Sequence, residues 1–336
     1  MHRVGFINAG MWIIRMKRFL ILIAVLALTT ILGCGKNADL AKDADLAKNA
    51  DLEESADQAT TNLADDLGIE VVKDEIPNTV EDEDTTVEPA SFKFVDVFGE
   101  EYEATILPDF PKTEFINEKY YFENGRTYYE DENYLSRQGI DVSGYQGKID
   151  WGKVKVSGIE FVIIRIGFRG YGQSGTLNLD KRFLENIKGA QAAGLDTGVY
   201  IFSRAINEAE AVEEAEFVLS NLDGYELQMP IVYDPESILD DVARTDNVTA
   251  EQFTKNSIAF CNRIKEAGFE PMIYSNMLWE AFNLNIEELR DYPFWYADYE
   301  TLPQTPYAYT MWQYSSEGVV DGVSGAVDLD IQFIKK

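Results

Sequence analysis

Histidine is nearly absent from this sequence, because His2 is the only one among 336 residues. Its scarcity excludes a Ser-His-Asp triad and a histidine-bound zinc ion from the rest of the chain. Cysteine is almost as scarce: Cys34 and Cys261 provide neither a disulfide framework nor a CxxC pair. Acid–base chemistry must therefore rest on Asp, Glu, Tyr or Lys side chains.

Positive charge is also in short supply. The chain has 29 Lys and Arg residues against 59 Asp and Glu residues, for a net charge of -30. Such an acidic protein will not bind nucleic acid through general electrostatics, and a neutral or zwitterionic glycan is a more suitable partner. Hydrophobic residues make up 46% of the chain, which is ample for a core, and the length indicates one large domain with additional segments.

A short apolar segment, residues 19–32, follows three basic residues near the amino terminus. Basic residues, an apolar stretch of this length and a small residue before the cut are typical of a secretory signal, whereas a membrane-spanning helix needs about 20 apolar residues. Gly33 followed by Cys34 resembles a bacterial lipobox, in which the cysteine is lipidated. We therefore predict a signal peptide over residues 1–33 and membrane anchoring through a lipid on Cys34. The alternative is a signal anchor that is never cleaved, which would also place the rest of the chain outside the cytoplasm.

Two segments of different composition follow. Residues 34–90 contain 17 acidic residues, 4 basic residues and no aromatic residue, and Ala-Asp-Leu recurs in them every six residues. This composition predicts a flexible acidic linker extended by self-repulsion, with a marginal helix over 38–66 as the alternative. Residues 91–136 are rich in Phe and Tyr, unlike a linker. We expect this lead-in segment to pack against the following domain or to form a small strand-rich unit.

From residue 137 to residue 336, short apolar runs alternate with helical patterns, which predicts a parallel β/α architecture. The predicted strands are 139–143, 161–168, 197–203, 230–236, 271–275, 294–298, 310–314 and 327–333. The predicted helices are 150–156, 179–193, 208–221, 250–267 and 277–283, and Cys261 is expected in the core of the fourth. Little helix separates the last three strands. The fold class is therefore α/β: an irregular TIM-like β/α barrel of eight strands and about five helices.

Acidic residues lie at the ends of several predicted strands, where barrels of this kind carry their chemistry. They are Asp141, Asp234, Glu236, Asp298, Asp328 and Asp330. Asp234 and Glu236 are two residues apart on one strand, so their side chains share a face. Two such carboxylates repel, which raises the pKa of one of them. Glycoside cleavage needs this arrangement: one acid protonates the leaving oxygen and one carboxylate stabilises or attacks the sugar.

Motifs along the whole predicted barrel resemble, in the same order, those of glycoside hydrolase family 25 lysozymes. They are residues 139–143, 161–165, 198–203, 234–236, 295–297, 312–314 and 327–330. The sequence departs from the family pattern at Ile201, where His is frequent, and at Asp330, where Asn is usual. A chitinase-like barrel also places a Glu after its fourth strand, but it has a run of aspartates before that Glu, which 229–233 lacks.

The resemblance implies a lysozyme that hydrolyses the β-1,4 bond between N-acetylmuramic acid and N-acetylglucosamine, without a cofactor or metal. Glu236 would be the general acid, Asp234 would support the reacting centre, and Asp141 and Asp328 would line and tune the cleft. Whether an Asp attacks or the substrate assists stays open. Aromatic residues near the strand ends are candidates for sugar stacking: Tyr200, Phe202, Tyr274, Trp295, Trp312 and Tyr314.

The expected partners are therefore peptidoglycan glycan strands and, through Cys34, the membrane. We expect a monomer on the extracellular face of the bacterial cell membrane, within the cell wall. The alternative from another functional class is an inactive barrel that acts as a wall-binding lipoprotein, against which the intact acidic set argues. Wall remodelling, sporulation, germination and DNA transfer are all compatible roles.

Overall fold

The computed structural model describes residues 90–222, 224–237 and 242–336. The predicted signal peptide, Cys34 and all but the last residue of the predicted acidic linker lie outside these ranges. The strands are β1 (Ser91–Val95), β2 (Glu101–Thr105), β3 (Tyr120–Glu123), β4 (Arg126–Tyr129), β5 (Tyr134–Val142), β6 (Phe161–Arg169), β7 (Leu177–Leu179), β8 (Asp196–Phe202), β9 (Ile231–Asp234), β10 (Pro271–Asn276), β11 (Phe294–Ala297), β12 (Met311–Gly318) and β13 (Val327–Lys335). The helices are α1 (Trp151–Val156), α2 (Phe183–Ala192), α3 (Glu208–Asn221) and α4 (Ala250–Glu266), with a π-helical turn at Trp279–Asn283.

Eight strands close into a barrel in the order β5, β6, β8, β9, β10, β11, β12, β13, with β13 paired to β5. The predicted irregular barrel of eight strands and about five helices is thus confirmed. Two helices differ in detail from the prediction. The second predicted helix begins at Phe183 because Leu177–Leu179 forms β7, which pairs with β6. The fifth predicted helix is the short π-helical turn.

The last strand departs from the parallel arrangement expected, because β13 runs antiparallel to both β12 and β5. Only residues 319–326 separate β12 from β13, whereas a parallel crossover needs about a dozen residues or more. The reversal has a consequence for function. It brings Asp328, at the beginning of β13, beside Asp141, near the end of β5.

Alternating strand residues fill two separate cores. The inside of the barrel holds a cluster of large apolar side chains that includes Phe161, Ile163, Val232 and Met272. Gly139 makes room for the Phe161 ring, since a Cβ atom at Gly139 would lie 2.1 Å from that ring. The remaining apolar side chains form a second core outside the barrel, against the helices and the lead-in segment.

Local signals define the long helix α4 at both ends. The Thr249 side chain accepts a hydrogen bond from the backbone N–H of Gln252, which caps the amino terminus. Gly268, with φ of +87°, follows the carboxyl terminus in the left-handed conformation that glycine adopts readily. Between them, Phe253, Phe260 and Cys261 face the core, as expected for Cys261. Among the described residues, no helix has the length and apolar character needed to cross a bilayer.

The lead-in segment consists mainly of two antiparallel hairpins, β1–β2 and β3–β4, that lie against the barrel. Aromatic contacts hold it there: the Phe115 ring stacks on Phe333 with centroids 3.8 Å apart. The hydroxyl groups of Tyr120 and Tyr309 are hydrogen-bonded at 2.7 Å. The segment is therefore strand-rich and also packed against the barrel, so both expectations for it apply together.

Candidate active site

Four acidic side chains meet at the barrel rim where the parallel strands end. Asp141 comes from β5, Asp234 and Glu236 from the end of β9, and Asp328 from the reversed strand β13. Burial, and then the charges of Asp328, Asp330 and Asp234, raise the pKa of Asp141 well above its usual range. The charges of Asp234 and Asp328 also act on Glu236. The structure therefore brings all four predicted catalytic residues into one electrostatic site.

Glu236 and Asp234 have different tendencies to hold a proton. Burial, and after it the charge of Asp234, raises the pKa of Glu236 to about 8, against the opposing effect of Arg204. Burial also raises the pKa of Asp234 to about 7, opposed chiefly by the positive charge of Arg204. Burial makes both carboxyl groups hold a proton more readily than exposed acids, and because the charge of Asp234 raises the pKa of Glu236, ionisation of Asp234 favours the proton on Glu236. A proton donor next to a carboxylate is the chemical requirement of glycosidic bond cleavage.

Arg204 is a functional candidate that the sequence analysis missed. Its side chain is 1% exposed, follows β8, and donates from Nη1 to the backbone carbonyl oxygen of Glu236. The guanidinium carbon lies 3.8 Å from the centroid of the Phe202 ring. Arg204 is therefore a buried cation that contacts the segment carrying the acids and opposes the rise in their pKa values. A charged residue just beyond a strand was the cue used for the acids, and it would have identified Arg204 too.

Gln313 was also missed, and it connects the acids to two tyrosines. Its Nε2 atom donates to Asp141 Oδ2 at 2.6 Å. Its Oε1 atom accepts hydrogen bonds from the hydroxyl groups of Tyr274 and Tyr299, both at 2.9 Å. Because Gln313 uses both ends of its amide, it fixes the orientation of Asp141 and holds the two phenol groups at the rim.

The predicted sugar-stacking residues fall into two groups, of which one lies near the acids. Phe202 is paired with Asp234 in the neighbouring strand, and Tyr200 precedes it on the same face of β8. Tyr274 and Trp295 pack edge-to-face at 4.9 Å inside the barrel. Trp295 is almost wholly buried and donates from Nε1 to Asp330 at 2.9 Å, so it forms the floor below the acids, with no open face for a sugar.

Trp312 and Tyr314 do not reach the acids, which corrects their assignment to the cleft. Trp312 is fully buried in the outer core, and its indole N–H donates to the backbone oxygen of Asp298 at 2.8 Å. The Tyr314 hydroxyl bonds to Gln138 at 3.2 Å. Both side chains point out of the barrel because neighbouring residues of a strand face opposite sides, and the residue between them, Gln313, points inward.

Asp298, another acid at a strand end, shapes a loop. One of its carboxylate oxygens accepts from the Tyr296 hydroxyl at 2.7 Å and from the Gln304 backbone N–H at 2.9 Å, and the other accepts from the Glu300 backbone N–H at 3.0 Å. Within the described ranges, no group of three or more His, Cys, Asp or Glu residues is placed to hold a metal ion.

Known proteins resemble this chain over the barrel. The model of the family "Glycosyl hydrolases family 25" matches residues 140–323. The autolytic lysozyme of Clostridium acetobutylicum is 30% identical over 194 residues, which is 57% of this chain and 55% of that protein. Lysozyme M1 of Streptomyces globisporus is 31% identical over 201 residues, 57% of this chain and 66% of that protein. The match thus spans between half and two thirds of each relative's length.

A solved structure gives the same assignment. The bacterial lysozyme from Streptomyces coelicolor is 30% identical, with a TM-score of 0.51 over 58% of this chain and 90% of that one. The family match covers more than half of this sequence and includes the strands that bring the acids together. The chain belongs to glycosyl hydrolase family 25.

Proposed function

We propose that this protein is a muramidase, hydrolysing the β-1,4 bond between N-acetylmuramic acid and N-acetylglucosamine in peptidoglycan. The observation that carries the proposal is the pairing of Glu236 and Asp234 at the rim, with a raised pKa for Glu236. The relatives named as lysozymes support the choice of substrate. The net charge of -30 is compatible with a glycan and opposes the binding of polyanions.

The reaction follows from the protonation states. Glu236 transfers its proton to the glycosidic oxygen, and the electron pair of the breaking C–O bond passes to that oxygen. The Asp234 carboxylate stabilises the positive charge that develops on the sugar ring. Water then supplies the new oxygen, and Glu236, now ionised, accepts the proton. Asp141, oriented by Gln313, and Asp328 line the site in which these steps occur.

A single acid variant tests the proposal. We expect the full-length protein to release muropeptides with reducing-end muramic acid from purified peptidoglycan. The rate of release should fall about 100-fold or more in Glu236→Gln, which is the scale expected for loss of a general acid. Glu266→Gln, which changes an exposed glutamate at the end of α4, is the matched control and should act as wild type does. Wall binding without any release by the wild type would contradict the proposal and leave a wall-binding barrel.

We also propose that the chain is exported and held at the membrane by a lipid on Cys34, with residues 34–90 as a spacer that lets the monomeric barrel reach the wall. The basic, apolar and Gly33-Cys34 pattern supports this location. Cys34→Ser should move the protein from the membrane fraction to the soluble fraction and abolish incorporation of labelled fatty acid. Unchanged membrane association and labelling would refute lipid attachment at Cys34.

A further inference from the structure

A cavity of about 250 Å³ opens at the barrel rim, where β10 and β11 end. Its wall comes partly from the β1–β2 hairpin of the lead-in segment and partly from the ends of β10 and β11. The residues that matter for its chemistry are Val97, Asp96, Asn276, Tyr299 and Glu300. The family match begins at residue 140, so the hairpin side of this cavity is an addition to the family barrel.

The hairpin is held firmly in this place. The backbone N–H of Val95 donates to Gln304 Oε1 at 2.8 Å, and Gln304 Nε2 donates back to the Val95 carbonyl oxygen at 3.0 Å. Gln304 thus pairs with β1 much as a neighbouring strand would. Within the hairpin, Asp96 Oδ1 accepts from the backbone N–H groups of Phe98 and Glu100 at 2.8 and 3.0 Å. These bonds shape a fixed turn at the edge of the cavity.

Tyr299 connects the cavity to the catalytic acids. Its ring is 41% exposed and lines the cavity, while its hydroxyl donates to Gln313, which in turn donates to Asp141. Burial, and then the charges of Glu236 and Asp328, raise the pKa of Tyr299, in keeping with a hydroxyl close to those acids. One aromatic side chain therefore belongs to both sites, so a single extended ligand would contact them together.

The lining of the cavity selects a polar, uncharged occupant. Glu300 contributes an exposed carboxylate, whereas the oxygens of Asp96 and Asp298 accept hydrogen bonds from the protein itself. Val97 and Tyr299 contribute apolar surface, and no Lys or Arg is among the described lining residues. Sugar hydroxyl groups donate to carboxylates, and the C–H face of a sugar packs on aromatic and aliphatic side chains. The volume is below the roughly 300–1,000 Å³ of sites for drug-sized ligands, which suits one sugar ring.

We propose that the β1–β2 hairpin and the ends of β10 and β11 form an additional sugar subsite, which holds one unit of the glycan strand beyond those bound at the acids. The proposal rests on the muramidase function and adds to it. The lead-in segment is then part of the substrate groove as well as part of the fold, and it favours long glycan strands over short ones.

Val97→Arg tests the subsite, because Val97 is 65% exposed and a longer cationic side chain there fills the cavity next to its acids. The measurement is kcat/KM on purified glycan strands of increasing length. For the wild type we expect it to rise with length up to a plateau. For Val97→Arg, kcat/KM should reach its plateau at a strand one sugar shorter. The plateau should be about tenfold lower than that of the wild type because KM is higher. Val156→Arg, at a valine 88% exposed at the end of α1, is the matched control and should follow the wild type.

The two proposals fail in different ways. If the wild type cleaves no strand of any length, the muramidase function is contradicted. If it cleaves strands and Val97→Arg matches it at every length, the subsite is overturned and the muramidase stands. Calorimetric binding of a long strand to Glu236→Gln, with and without Val97→Arg, gives a readout independent of turnover. About tenfold weaker binding with Val97→Arg supports the subsite, and equal affinity overturns it.

Discussion

At the scale of single residues, the site depends on burial of charge. Glu236 gains its ability to hold a proton first from burial and then from the neighbouring Asp234. Arg204, a buried cation near both acids, opposes the rise in their pKa values. The protonation states are therefore properties of a group of three charges, and a change at one member should appear in the titration of another.

The first prediction concerns pH. Activity of the wild type should fall as the pH rises through about 8, where Glu236 loses the proton it must donate. Asp234→Asn removes a negative charge that raises the pKa of Glu236, so the alkaline limb of the kcat/KM profile should move to lower pH, while activity at the optimum also falls. The profile of residual activity from pH 5 to 10 measures both effects. An alkaline limb that stays in place in Asp234→Asn would show that Asp234 does not tune Glu236.

At the scale of elements, the connection from β9 to α4 matters because it carries Glu236. Arg244, in this connection, pairs with Glu210 of α3 through two hydrogen bonds of 2.8 and 2.7 Å. The Arg244 backbone N–H also donates to the Tyr171 carbonyl oxygen at 2.9 Å. The Arg244 side chain is only 7% exposed, so this ion pair is largely shielded from water. It anchors the connection to a helix on the outside of the barrel.

The second prediction follows from this anchor. Arg244→Ala should lower the free energy of unfolding by about 1.5–3 kcal/mol, the range for hydrogen bonds to charged groups, and reduce kcat because Glu236 is less well positioned. Arg263→Ala is the matched control. It breaks the ion pair with Glu216, which is also on α3 but is more exposed to water. The free energy of unfolding should therefore fall by only about 0–1 kcal/mol. Urea unfolding and steady-state kinetics distinguish the two variants, and equal effects would remove the special role of Arg244.

At the scale of the whole molecule, the lead-in segment and the barrel share one aromatic core. Phe115 contacts Tyr129 within the lead-in segment, and also Tyr134, Tyr309 and Phe333 of the barrel. Such contacts across the two regions bury apolar surface on both sides. The segment therefore belongs to the same cooperative unit as the strands that carry the acids, although the family match does not include it.

The third prediction tests that shared core. Phe115→Ala should destabilise the protein by about 2 kcal/mol, because its half-buried ring has partners on both sides but is less enclosed than a core phenylalanine, whose removal costs roughly 3–5 kcal/mol. Phe122→Ala, at a phenylalanine 73% exposed in β3, should change stability by no more than about 0.5 kcal/mol. Denaturant unfolding of both variants is followed by tryptophan fluorescence, which reports on the barrel, and by circular dichroism, which reports on both regions. A single transition in Phe115→Ala is expected, whereas separate transitions for the two regions would contradict a common unit.

The sequence by itself determined the eight barrel strands, the main helices and the positions of the acids along the chain. These features depend on local patterns: apolar runs of strand length, helix caps such as Thr249, and the two-residue spacing of Asp234 and Glu236. The local order of residues is enough to specify them, because strand and helix periodicities repeat within a few residues.

Only the tertiary structure decided which side of β12 faces the acids and that β13 runs antiparallel to its neighbours. It also decided that Arg204 is buried beside Asp234 and that the β1–β2 hairpin lines a cavity. Strand β12 has buried residues on both faces, so its apolar pattern does not alternate, and a polar Gln313 gives no sign that it points inward. The other features join residues far apart in the chain. The closed barrel brings these residues together, and local patterns do not specify which side chains then come into contact.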